Sequence, residues 1–168
     1  MPGFALRLLA AALVVLLSAS AHAQTAPAGW KLDVTPNVWI ATSPERVRLA
    51  FYPAVKSTAT FIFWFEDEGL RRTFAFSRNV KGQGATETTL QPPAPRLLAQ
   101  GRTITDAAGA RTAVYSYGWE TPKGKQLVQI LLPESVSQES PAYKAAFDEM
   151  TRAWKATLAY APAEKPAG

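Results

Sequence analysis

Five large apolar residues, Tyr143, Phe147, Met150, Trp154 and Leu158, recur at spacings of four, three, four and four near the end of this 168-residue chain. That period is one face of an α-helix. Lys144, Asp148, Arg152 and Lys155 take the opposite side, Ser140 is a good N-cap, and Pro141 is favoured in the first turn. Pro162 ends the pattern. Upstream, the chain reads mainly in twos rather than in threes and fours. Strands followed by one long amphipathic helix must bury their apolar faces on each other. The expected class is α+β: an antiparallel sheet of about five to seven strands with the C-terminal helix packed across one face.

The strand signals are local. Trp30 to Val34 alternates, Pro36-Asn37 breaks it, and Val38-Trp39-Ile40 resumes. After the turn Ser43-Pro44-Glu45, Val47, Leu49 and Phe51 alternate with Arg46, Arg48 and Ala50, the period of a half-buried strand. Thr60 to Phe65 is an aromatic-rich apolar run and reads as a central strand. Glu66-Asp67-Glu68-Gly69 then reads as a tight acidic turn, with Leu70 to Ser77 as the returning strand of a hairpin. Asn79 to Gln91 reads as loop, and the prolines at 92, 93 and 95 forbid regular structure locally. Arg96 to Gln100 fits a helical turn and a short strand equally. Arg102 to Thr105, Thr112 to Trp119 and Gln126 to Leu132 are strands joined by turns at Asp106 to Gly109 and Thr121 to Lys125.

Met1 to Ala23 has the form of a secretory signal: Arg7, an apolar run from Leu8 to Leu17, then Ala21-His22-Ala23 as the cleavage site. The run is too short to span a bilayer. Expected boundaries are a cleaved signal over 1–23, one domain over 24–160 and a disordered tail over 161–168, with a periplasmic or secreted destination. Loss of Arg7 lowers the formal charge from +5 to +4, a modest and scattered excess that does not suit nucleic acid. With no cysteine, the fold holds by packing rather than disulfides.

His22 is the only histidine and falls inside the signal. Cleavage therefore removes serine–histidine catalysis and histidine or thiolate metal sites from consideration. No metal or other cofactor is implied. The acidic turn lacks the alternating ligands of a calcium loop, and neighbouring carboxylates on one turn do not face each other as a glycosidase pair must. Gly82-Gln83-Gly84 lacks the rest of a phosphate loop. Tyr115, Tyr117 and Trp119 share a strand face, which reads first as the side the helix covers and second as a partner surface. Arg71 and Arg72 beside the acidic turn, with Lys123 and Lys125 in the second turn, read first as a solubilising rim and second as flanks for an anionic ligand. Tyr115, Tyr117, Trp119, Arg71 and Arg72 make up the candidate ligand or partner surface.

The element order also resembles a known family. An exported chain opens with Trp30 to Trp39 around a proline. It continues through paired strands, the turn Thr105 to Arg111, the aromatic strand Ala113 to Trp119 and the strand Gln126 to Leu132, into a closing helix. This is similar to PsbP-like α/β/α sandwich domains over roughly Gly29 to Tyr160, with two departures: a prominent hairpin around Gly69 and no clear helix in mid-chain. The resemblance implies a non-enzymatic extracytoplasmic accessory role and transfers no site residue. Three functions are in play: binding of a protein or envelope component, carriage of a small apolar ligand between sheet and helix, and carboxylate-based hydrolysis of envelope polysaccharide.

Overall fold

The computed structural model describes residues 26–76, 86–88 and 90–158. The expected signal, the stop at Pro162 and the C-terminal tail lie outside the described residues. Seven strands, β1 (Lys31–Thr35), β2 (Val38–Thr42), β3 (Arg48–Phe51), β4 (Thr86–Thr88), β5 (Leu98–Thr105), β6 (Arg111–Thr121) and β7 (Gly124–Pro133), form one sheet in the order β1-β2-β3-β7-β6-β5-β4. Every neighbouring pair is antiparallel. Two helices, α1 (Phe61–Phe76) and α2 (Pro141–Leu158), complete the fold. Among the described residues no helix is long and apolar enough to cross a membrane.

Side chains directly opposite on paired strands share a face, so the register sorts the core into two halves. Leu49, Phe51, Tyr115, Tyr117, Trp119, Val128, Ile130 and Leu132 form the half beneath α2. Ile40, Ala50, Val114, Leu127 and Leu131 form the other, against Trp64 and Phe65 of α1. The alternation expected along β6 therefore holds, with rings on one side and Val114, Ser116 and Gly118 on the other.

α2 begins where expected, and Ser140 Oγ accepts the Tyr143 N–H at 3.2 Å as its cap. Its deepest line is Ala142, Ala146, Met150 and Trp154 rather than the larger stripe. Alanines at a spacing of four let the helix approach the sheet, and the β6 rings fill the space they leave. Tyr143 and Phe147 flank this line, making edge contacts with Tyr115 at 5.7 Å and Tyr117 at 6.0 Å. Leu158, the last member of the stripe, is exposed.

The expected hairpin over Thr60 to Ser77 is corrected: Phe61–Phe76 is helix α1. A short apolar run does not by itself distinguish a buried strand from a helix segment. As a helix, Phe61, Trp64 and Phe65 come to one face at spacings of three and four and pack on the sheet, while Ile62 and Phe63 stay 64% and 66% exposed. Glu66 to Gly69 is helix interior, not a turn. Glu68 pairs with Arg71 one turn on and with Arg72 at 3.4 Å, which are the helical spacings of three and four. Residues 98–100 resolve as the start of β5.

What holds α1 down is a buried polar node. The fully buried Gln129 accepts a hydrogen bond from the Tyr52 hydroxyl at 3.0 Å. Its amide nitrogen donates to Ser116 Oγ at 3.0 Å and to the Gly69 carbonyl of α1 at 3.1 Å. Near it, the Arg72 guanidinium lies 4.8 Å from the centre of the Tyr52 ring. At the other end of the helix, Lys125 donates to the Ala59 carbonyl and lies over the Phe61 ring.

Burial pushes the Tyr52 phenol up to about 12, an effect partly offset by the Arg72 and Arg48 cations. An unfolded phenol ionises near pH 10, so the folded chain holds this proton more tightly. The resulting stabilisation is complete below about pH 10 and is lost as pH rises through about 12. Stability measured by urea unfolding is expected to fall by about 2–3 kcal/mol across that interval. Tyr117, also raised by burial, steepens the fall. Tyr52→Phe is expected to flatten it; an unchanged slope in that variant would assign the alkaline loss to other groups.

Candidate functional site

A groove of about 610 Å³ opens at one end of the α2 face. Four segments converge there: the β1–β2 turn with Trp39, the chain leaving β3 from Phe51 to Ala54, the β6–β7 turn with Trp119 and Lys123, and the last turns of α2 from Arg152 to Thr157. Beneath the middle of α2, Ala142, Ala146 and Met150 are buried against the sheet, and the groove is lined instead by the last turns of the helix.

Local sequence explains each wall. In the β1–β2 turn, Thr35 Oγ1 accepts the N–H groups of Asn37 and Val38 and donates to the Val38 carbonyl at 3.1 Å. This holds Trp39 at the mouth, edge-on to Phe51 with ring centres 5.1 Å apart. The β6–β7 turn is two residues long, Pro122-Lys123, closed by Thr121 Oγ1 on the Gly124 carbonyl at 2.8 Å. Gly124 has φ +123°, and a Cβ there would lie 2.4 Å from the Val55 carbonyl oxygen, so glycine alone lets residue 55 bridge to Lys125. On α2, alanines at 153 and 156 leave room where larger residues would close the groove.

The lining is mainly apolar, with a few placed polar groups. Gln126 donates its amide to the Tyr52 carbonyl at 2.5 Å and the Leu127 carbonyl at 3.0 Å, tying the β3 exit to β7. Arg152 is clamped by Glu149, with Nε at 2.9 Å from one carboxylate oxygen and Nη2 on the other. Trp119 is 2% exposed, and its indole N–H has no hydrogen-bond partner among the described residues. A buried unpaired donor is costly, and here it belongs to a ring that lines the groove.

The five residues singled out from the sequence do not form one surface. Tyr115 and Tyr117 are core beneath α2, the former accepting a bond from Gln138 Nε2. Trp119 shares their face and alone of the three lines the groove. Arg71 and Arg72 belong to α1 on the opposite side of the sheet: Arg71 is exposed and Arg72 is mostly covered against Tyr52 and Glu68. The acidic turn they were expected to flank is part of α1. Glu66, Asp67 and Glu68 project about 100° apart around α1 rather than across a cleft. Among the described residues no group of three or more histidine, cysteine, aspartate or glutamate side chains is placed to hold a metal ion.

Lys123, read from the sequence as a possible flank for an anion, does line the groove, whereas Trp39, Phe51 and the α2 alanines were not singled out, because the groove forms where four distant segments meet. The available signal was modest: Trp39 beside a proline turn, and alanines replacing large residues late in α2. No known protein-family model matches the chain, and no curated protein matches it.

Proposed function

We propose that this chain is an exported, non-enzymatic binding domain whose groove takes a small apolar ligand. The observation that carries this is the groove itself: about 610 Å³, walled by Trp39, Phe51 and Trp119 and left open by alanines. Small-molecule sites are concave, mostly apolar and about 300–1,000 Å³ in volume. The extracytoplasmic and non-enzymatic parts rest on the signal-like N-terminus, on the loss of the only histidine with it, and on the resemblance to PsbP-like domains.

Decanol is a suitable neutral probe. Titration followed by tryptophan emission is expected to show one saturable site, and Ala156→Phe, which fills the groove from a helical position, is expected to weaken binding at least about tenfold by excluding the probe. Native mass spectrometry of protein from its own host is expected to show a retained small molecule. Absence of both a saturable site and a retained mass would overturn the ligand reading.

A second reading has its own observation. Ile62 and Phe63 project from the first turn of α1 at more than half exposure, the kind of apolar pair that marks a protein or envelope contact. Crosslinking in envelope extracts that is lost in an Ile62→Ser, Phe63→Ser double variant supports a partner there, and labelling indifferent to that change removes it.

A further inference from the structure

The geometry points to an anionic amphiphile as the occupant: a single apolar chain ending in a carboxylate, with its head at the rim between Lys123 and Arg152. This inference rests on the groove being a ligand site and adds the chemistry of the ligand. The lining contains two cations and no carboxylate. They come from opposite walls, Lys123 from the exposed β6–β7 turn and Arg152 from α2. Glu149 holds the Arg152 guanidinium from the side, and the backbone N–H of Lys123 donates to Thr121 Oγ1 at 3.2 Å, which fixes the turn that carries the lysine.

The end of a helix presents carbonyl oxygens that disfavour an anion. Here Thr157 Oγ1 donates to the Trp154 carbonyl at 2.7 Å and occupies one of them. The floor below the rim is apolar, with Trp39, Phe51 and Trp119 as its rings. An apolar tail with a charged end matches this division, whereas a wholly neutral ligand leaves the cations idle and a small inorganic anion leaves the floor wet. A charge-assisted hydrogen bond at a partly dry rim is strong enough to decide the choice between head groups.

The test compares decanoate with decanol on the full chain. Decanoate is expected to bind about tenfold more tightly, the increment of one charge-assisted hydrogen bond. Lys123→Ala is expected to erase most of that preference, read as the ratio of the two affinities on the same variant, and to leave the fold intact because Lys123 is exposed and makes no part of the core. Rising salt is expected to narrow the preference in the unmodified chain. Equal affinity for the two probes, or a preference that survives Lys123→Ala, overturns the head-group assignment and leaves the groove as a neutral apolar site. If neither probe binds, this inference falls, and if native mass spectrometry also shows no retained small molecule, the ligand reading falls with it.

Discussion

Gln129→Met is expected to lower stability by about 4 kcal/mol, more than any other single change considered. Methionine keeps nearly the same length and volume, so the variant leaves little cavity and isolates the polar loss. The Tyr52 hydroxyl, Ser116 Oγ and the Gly69 carbonyl each lose their bond to Gln129. A buried group deprived of a partner costs about 1–3 kcal/mol, because it gave up water on folding and receives nothing in return. The three partners come from the residue after β3, from β6 and from α1, so their loss is expected to loosen α1 selectively. Urea unfolding gives the free-energy loss, and hydrogen exchange over residues 61–72 is expected to quicken more than exchange over α2. A loss under 1 kcal/mol, or equal quickening of both helices, would assign α1 docking to its apolar contacts alone.

Gly118→Val attacks the same interface sterically, with an expected cost of about 3 kcal/mol. A Cβ at Gly118 would sit 2.6 Å from Phe61 Cε1 and 2.8 Å from two Phe65 ring carbons. Neither ring has a free direction, since Phe61 also packs edge-on to Trp64 at 5.5 Å and Phe65 is buried. Valine is a good strand residue, so β6 itself is expected to persist and the strain to fall on the helix. The expected result is a lower urea midpoint with far-ultraviolet helical signal lost in proportion to α1. Crystallisation of the variant with α1 in place and stability unchanged would refute this account of why glycine stands in a strand of aromatic residues.

These two positions also show what was legible beforehand. Gly118 was placed on the correct face of β6 by simple alternation, but nothing nearby in sequence said that two phenylalanines from residues 61 and 65 press on it. Gln129 lay inside the strand read over Gln126 to Leu132 with nothing to mark it, and its three partners lie 13, 60 and 77 positions away. Thr60 to Phe65 is the clearest failure. Five apolar residues after Thr60 satisfy a strand and a helix segment alike, and the Glu68 spacing to Arg71 and Arg72 was the local sign favouring helix. The C-terminal helix was better determined, because an eighteen-residue amphipathic pattern with a cap and a proline has few alternatives.

The groove was the least legible feature. Its lining spans positions from Thr35 to Thr157, so no window of sequence contains it. Trp119 was selected with Tyr115 and Tyr117 as one stripe, yet the three differ in role because α2 covers the first two and the groove is lined by the third.

Period and punctuation, which are properties of short stretches, sufficed for the α+β class, the antiparallel β5–β6–β7 core and the capped helix α2, since each element must bury one face wherever its partners come from. The identity of α1, the node on Gln129 and the open end beneath α2 were decided only in three dimensions. They depend on which distant surfaces meet, and contact energies between residues tens of positions apart leave no period in the chain that forms them.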